Sequence, residues 1–174
     1  MSVVPGSKPV SRVIPGVIVQ FLDRASVAVG CTRSASLAPQ IHWVSGWQLD
    51  ADLRSIWCFI PAEFTAGLEP SLRENGHFSL TIEHIGPHEC YQFKGTFLSL
   101  RPATEHDRAV VARSRERFAA AVTKLIPAFA ANVELLRRYI IEPAVALRIS
   151  VREIYLQTPG PGAGSLLASL EERP

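Results

Sequence analysis

Six stretches of this chain alternate their side chains with a period of two, and no helical pattern separates them regularly. A two-residue period sends successive side chains to opposite faces, which is the geometry of a strand. Val27, Val29 and Cys31 alternate with Ala28, Gly30 and Thr32, and Ile41, Trp43, Ser45 and Trp47 with Gln40, His42, Val44 and Gly46. Ile56, Cys58 and Ile60 interleave with Ser55, Trp57 and Phe59, so this strand is apolar on both faces and belongs in the centre. Phe78, Leu80 and Ile82 alternate with Ser79, Thr81 and Glu83. Gly86-Pro87 turns the chain into a partner strand that starts at Tyr91 and Phe93 and runs to Leu100. Val145, Leu147, Ile149 and Val151 alternate with Ala146, Arg148, Ser150 and Arg152. Short turns join most of these strands, and no strand–helix–strand alternation is sustained. The pattern predicts a mainly β chain, a small closed or partly closed antiparallel barrel with flanking helices, rather than a parallel doubly wound sheet.

The remaining segments read as helices and turns. Pro15–Asp23 is expected as a short helix that lays Ile18, Phe21 and Leu22 on the core. Phe64–Asn75 reads as a connecting helix, with Thr65 as its cap and Gly76 at its left-handed exit. Pro70 implies a late start near Gly67 or a kink. Gly95 in mid-strand predicts a bulge or a close backbone approach. Thr104-Glu-His-Asp107 resembles a capping box, and the helix after it is kinked or split at Pro127. These signals divide the chain into a loose arm over residues 1–13, a barrel domain over 14–156 with a helical insertion at 104–141, and a Pro/Gly-rich tail over 157–174. In that tail Leu166, Leu167 and Leu170 are expected on a short amphipathic helix.

Composition bounds the function. With 174 residues, 47% hydrophobic and 20% charged, the chain is long and apolar enough for one packed domain. A net charge of +2 gives no field suited to nucleic acid. No run approaches the ~20 apolar residues of a membrane span. The first residues lack the apolar run of a secretory signal, and three widely spaced cysteines do not form a disulfide framework, so a cytoplasmic protein is expected. His84, His88 and Cys90 straddle the Gly86-Pro87 turn and lack further ligands, so no metal is expected. Arg108, Arg113, Arg115 and Arg117 read as a solvated helix face laced with ion pairs. The Pro159-Gly-Pro-Gly-Ala-Gly run lacks the donors and the following helix of a phosphate-binding loop. Trp43, Trp47, Trp57 and Phe59 sit on two adjacent strands, as core or interface or as a wall for a flat aromatic ligand. No nucleophile elbow, Walker loop or zinc motif is present, so any chemistry falls to a bound cofactor.

The order and spacing of several phrases resemble the pyridoxamine 5'-phosphate oxidase-like flavin-binding split barrels. The similar stretch runs from about Ile14 to Pro102. It includes Ala38-Pro-Gln-Ile-His-Trp-Val, Ile56-Trp-Cys-Phe-Ile-Pro, Leu72-Arg-Glu-Asn-Gly76 and Tyr91-Gln-Phe-Lys-Gly95. The resemblance implies a six-stranded antiparallel split β-barrel with flanking helices, and a homodimer that holds FMN between its subunits. It implies an FMN-dependent oxidoreductase; haem and deazaflavin are other ligands that the architecture takes. His42, Trp43, Ile60, Pro61, Thr65 and Gln92 are then the expected pocket residues. Thr65-Ala-Gly-Leu68 departs from the family, which often has Arg or Lys after the hydroxyl residue. A second reading follows from that departure, a non-catalytic dimeric small-molecule binding protein on the same barrel that has lost tight flavin binding.

Overall fold

The computed structural model describes residues 10–170. Among these residues nine strands form one sheet, antiparallel except at one edge. In chain order they are β1 (Val10–Ser11), β2 (Val27–Arg33), β3 (Pro39–Val44), β4 (Gly46–Leu49), β5 (Ser55–Ile60), β6 (His77–His84), β7 (Glu89–Pro102), β8 (Val145–Leu156) and β9 (Leu166–Leu170). The four helices are α1 (Gly16–Arg24), α2 (Leu68–Asn75), α3 (Glu105–Leu125) and α4 (Val133–Arg138). The expected count of six strands is corrected to nine. The run 40–47 breaks at Ser45, where the chain leaves its pairing with β2 and takes up pairing with β5. That bend lets the pairing order β2–β3, β4–β5–β8–β7–β6–β2 return to itself.

Period two fills the interior. Leu80, Ile82, Phe93, Ile56, Cys58, Ile60, Leu147 and Ile149 are fully buried, joined by Ile18, Phe21 and Leu22 of α1 and by Leu68 and Leu72 of α2. β5 is buried on its other face as well. There Phe59 and Ala146 pack under Val110, Val111 and Ile140, so the helical insertion covers the outside of β5 and β8.

The insertion begins as expected. Thr104 accepts from the Asp107 N–H, and the Asp107 carboxylate accepts from the Thr104 N–H at 2.7 Å, which completes the capping box. Pro127 ends α3 and opens a 3₁₀ turn that leads into α4. The basic face carries the ion pairs Arg115–Glu142 and Arg137–Glu116. Arg117 departs from the solvated reading: it is tucked 5.5 Å over the Trp47 ring, where burial lowers its pKa.

Two corrections concern the ends. The segment expected as a tail helix is β9, which pairs antiparallel with β8 because the sheet edge left by β8 takes an extended partner. Val10 and Ser11 are not part of a loose arm but form β1 on the other side of β9. Residues 1–9 of the expected arm lie outside the described residues, as do 171–174.

Candidate functional site

Cross-strand partners in an antiparallel sheet point to the same face. One row crosses the sheet as His42, Gly30, Leu80, Phe93 and Ile154, and all of it faces the core. The row beside it is Trp43, Val29, Thr81, Gln92 and Tyr155, on the outer face. Two of the expected pocket residues, Trp43 and Gln92, therefore share a surface. Trp43 is half-buried against the cluster under α3, and its indole N–H has no partner.

The other expected residues gather around the turn after β5, inside the wall. His42 is buried and both ring nitrogens are engaged: Nδ1 lies 2.7 Å from the Phe64 carbonyl and Nε2 lies 2.9 Å from the Thr32 hydroxyl. A carbonyl only accepts, so Nδ1 carries the proton and Thr32 donates to Nε2. Burial lowers the His42 pKa, against the opposing pull of the Phe64 carbonyl. Ile60 is fully buried in the core, and Pro61 is buried at the entry to a 3₁₀ turn, Ala62–Phe64. These residues are held by packing and hydrogen bonds inside the wall, and none of them lines the two outer cavities described below.

The helix starts late, as Pro70 implies, and the cap expected at Thr65 is corrected. α2 begins at Leu68, after Gly67 at φ +69°, and the Thr65 hydroxyl donates backwards to the Ala62 carbonyl at 2.8 Å. The Gly67 conformation suits glycine, and a Cβ there would meet the Gln40 amide at 2.7 Å or less. The Leu68 N–H donates to the Thr65 carbonyl, Pro70 has no N–H, and Glu69 places a carboxylate in the first turn. That end of the helix is poorly made for a phosphate. Pro70 fits because it lies in the first turn, where its missing N–H removes no helical bond.

The open surface lies elsewhere, on the outer face of β2, β6, β7 and β8. Two adjoining cavities of about 440 and 390 Å³ share His77, Lys94 and Gly95. The larger is walled by Cys31, Arg33, Leu37, Pro39 and Ser79, and the smaller by Thr96, Arg152, Glu153 and Ser169. The Lys94 ammonium sits 4.2 Å over the Tyr155 ring, and the Tyr155 hydroxyl donates to Glu153 at 3.0 Å. None of the cavity-lining residues was among those expected. The signal that marks the place is Gly95, where the predicted irregularity is a register shift against β8.

Nucleophilic chemistry finds little support. Burial pushes the Cys58 thiol far up, and burial together with Glu83 pushes Cys90 up to about 11. His88 pairs with Glu83, and among the described residues no group of three His, Cys, Asp or Glu side chains is placed to hold a metal. Among the described residues no helix is long and apolar enough to cross a membrane.

No family model and no curated protein matches the sequence. Solved structures do. HupZ of Group A Streptococcus is 14% identical over 87% of this chain and 99% of that chain, with a TM-score of 0.51. The fold is mainly β with helices, an antiparallel sheet curled into a half-barrel. An FMN-binding protein from Syntrophomonas wolfei is 12% identical over 78% of this chain and 85% of its own, with a TM-score of 0.44. A protein of the pyridoxinephosphate oxidase family from Clostridium acetobutylicum is 15% identical over 79% and 84%, with a TM-score of 0.41.

Proposed function

We propose that this split barrel is a flavin-dependent oxidoreductase of the pyridoxamine 5'-phosphate oxidase-like type, working with FMN as a cytoplasmic homodimer. The observation that carries the reading is the outer row Trp43, Val29, Thr81, Gln92 and Tyr155. An indole, an amide and a phenol in register across the sheet offer a broad surface to a flat heteroaromatic ring. The row also fits the group chemically: the Gln92 amide both donates and accepts, as the polar edge of such a ring requires. FMN, when bound, would supply the hydride or electron transfer. The protein's part is to orient the ring, exclude water and, through the partner subunit, close the open side.

Titration of the purified protein with FMN tests this. Saturable perturbation of the visible flavin spectrum, lost in Trp43→Ala and weakened in Gln92→Ala, is the expected result. Absence of any saturable change at high micromolar flavin overturns it. A second reading, the non-catalytic binding protein, is favoured by one observation: α2 begins without a cation in its first turn, with the Leu68 N–H engaged and no N–H at Pro70. Weak or absent flavin binding, with no turnover with any electron donor, would select that reading.

A further inference from the structure

The two outer cavities form one groove, and Lys94 stands at its middle. Lys94 is the cross-strand partner of Glu153, and the next pair is Gly95 with Val151. β8 therefore carries one residue more than β7 at this point, and the extra residue is Arg152. Buried Val151 and buried Ile154 are three positions apart instead of two. The bulge thus brings Arg152 and Glu153 together into the wall of one cavity, where strict alternation would send one of them into the core. Gly95 makes the approach possible, because a Cβ there would stand 2.5 Å from the Ser150 carbonyl oxygen.

The charge in this groove is unbalanced. Arg33 and Lys94 wall the larger cavity together. Among the described residues neither takes part in an ion pair. The acid closest in register, Glu153, accepts from the Tyr155 hydroxyl. The aromatic ring beneath Lys94 holds its ammonium on the outer face. Cations in a concave site concentrate an anion, and two of them favour a dianion over a single carboxylate. Beside them Leu37 and Pro39 give the same cavity an apolar side.

We propose that this groove binds the phosphate of an organic phosphate ester. Lys94 and Arg33 hold the phosphate oxygens, Ser79 donates its hydroxyl, and the organic body lies against Leu37 and Pro39. The inference stands apart from the flavin reading, since the groove recognises the phosphate whatever the body attached to it.

Calorimetric titrations at low ionic strength test it, with inorganic pyrophosphate, FMN and riboflavin as probes. The proteins are wild type, Lys94→Gln, Arg33→Gln and Lys124→Gln, the last removing the same charge from the far end of α3. Pyrophosphate or FMN binds wild type, and loses about tenfold or more in affinity in Lys94→Gln and in Arg33→Gln, but not in Lys124→Gln. Thermal melts that coincide with wild type establish that these exposed variants fold. Two results overturn the proposal: neither phosphate probe binds wild type at millimolar concentration, or binding is the same in Lys94→Gln and Arg33→Gln as in wild type. If FMN and riboflavin bind equally and without regard to Lys94, the phosphate site falls and the flavin reading stands. If pyrophosphate binds through Lys94 while neither flavin binds, the flavin reading falls and the phosphate site stands.

Discussion

His42 shows how a residue type misleads when its surroundings are unknown. A histidine on a strand beside a tryptophan suggests chemistry, yet strand alternation sends the two to opposite faces, and His42 is spent on Phe64 and Thr32. Replacing it with leucine leaves the Phe64 carbonyl and the Thr32 hydroxyl buried without this partner. We expect His42→Leu to lower stability by about 2–4 kcal/mol in urea titrations at neutral pH. The pH dependence has a definite sign. The folded state holds the His42 pKa below its ordinary 6.5, so below that pH the unfolded chain takes up a proton that the folded chain resists. Stability should fall as pH drops through 6.5, and His42→Leu should remove that share of the slope. Gly95 supplies a second test. Its substitution by alanine drives a Cβ into a backbone oxygen that cannot swing aside, and should cost about 1–3 kcal/mol or undo the bulge. Cross-strand amide exchange around Ser150 would report which.

Among the elements, the legible ones carried local chemistry strong enough to decide them. The capping box at Thr104, the break at Pro127 and the irregularity at Gly95 each rest on a residue with few alternatives. The segment Leu166–Leu170 was not legible: three leucines in five residues fit a helix face as well as a strand, and only the vacant edge of β8 chooses. The cap expected at Thr65 failed for a related reason, since the 3₁₀ turn before α2 uses the hydroxyl that a cap would need. The outer groove was out of reach because its lining comes from strands and loops far apart in sequence. A prediction belongs to the first turn of α3. Asp107 is buried, which disfavours its charge, yet Arg101 and the Thr104 N–H and hydroxyl more than compensate and hold its pKa at about 2. Its contribution is present above the ordinary 3.8 and is lost as pH falls towards 2. Asp107→Ala should lose the cap and the ion pair, about 2–3 kcal/mol at neutral pH. The difference from wild type should shrink across that acid window in denaturation curves.

For the whole molecule, the bend at Ser45 and the pairing of β5 with β8 carry a consequence in time. Every neighbouring pair in β2–β3, β6–β7 and β4–β5 joins strands that are close in sequence, and such hairpins form quickly. The ring is completed only when Ile60 meets Val145 and Ser55 meets Ser150, across the whole of β6, β7 and the helical insertion. Closing that span demands chain entropy before any contact rewards it. We expect refolding in the stopped-flow to be limited by this seam. Substitutions such as Cys58→Ala or Leu147→Ala should then speed unfolding far more than they slow refolding, whereas Leu80→Ala in β6 should slow refolding. The opposite pattern would mean that the seam nucleates. With the seam closed last, a nascent chain that ends before residue 145 already holds the hairpins β2–β3, β4–β5 and β6–β7 and still lacks the strand that closes the ring.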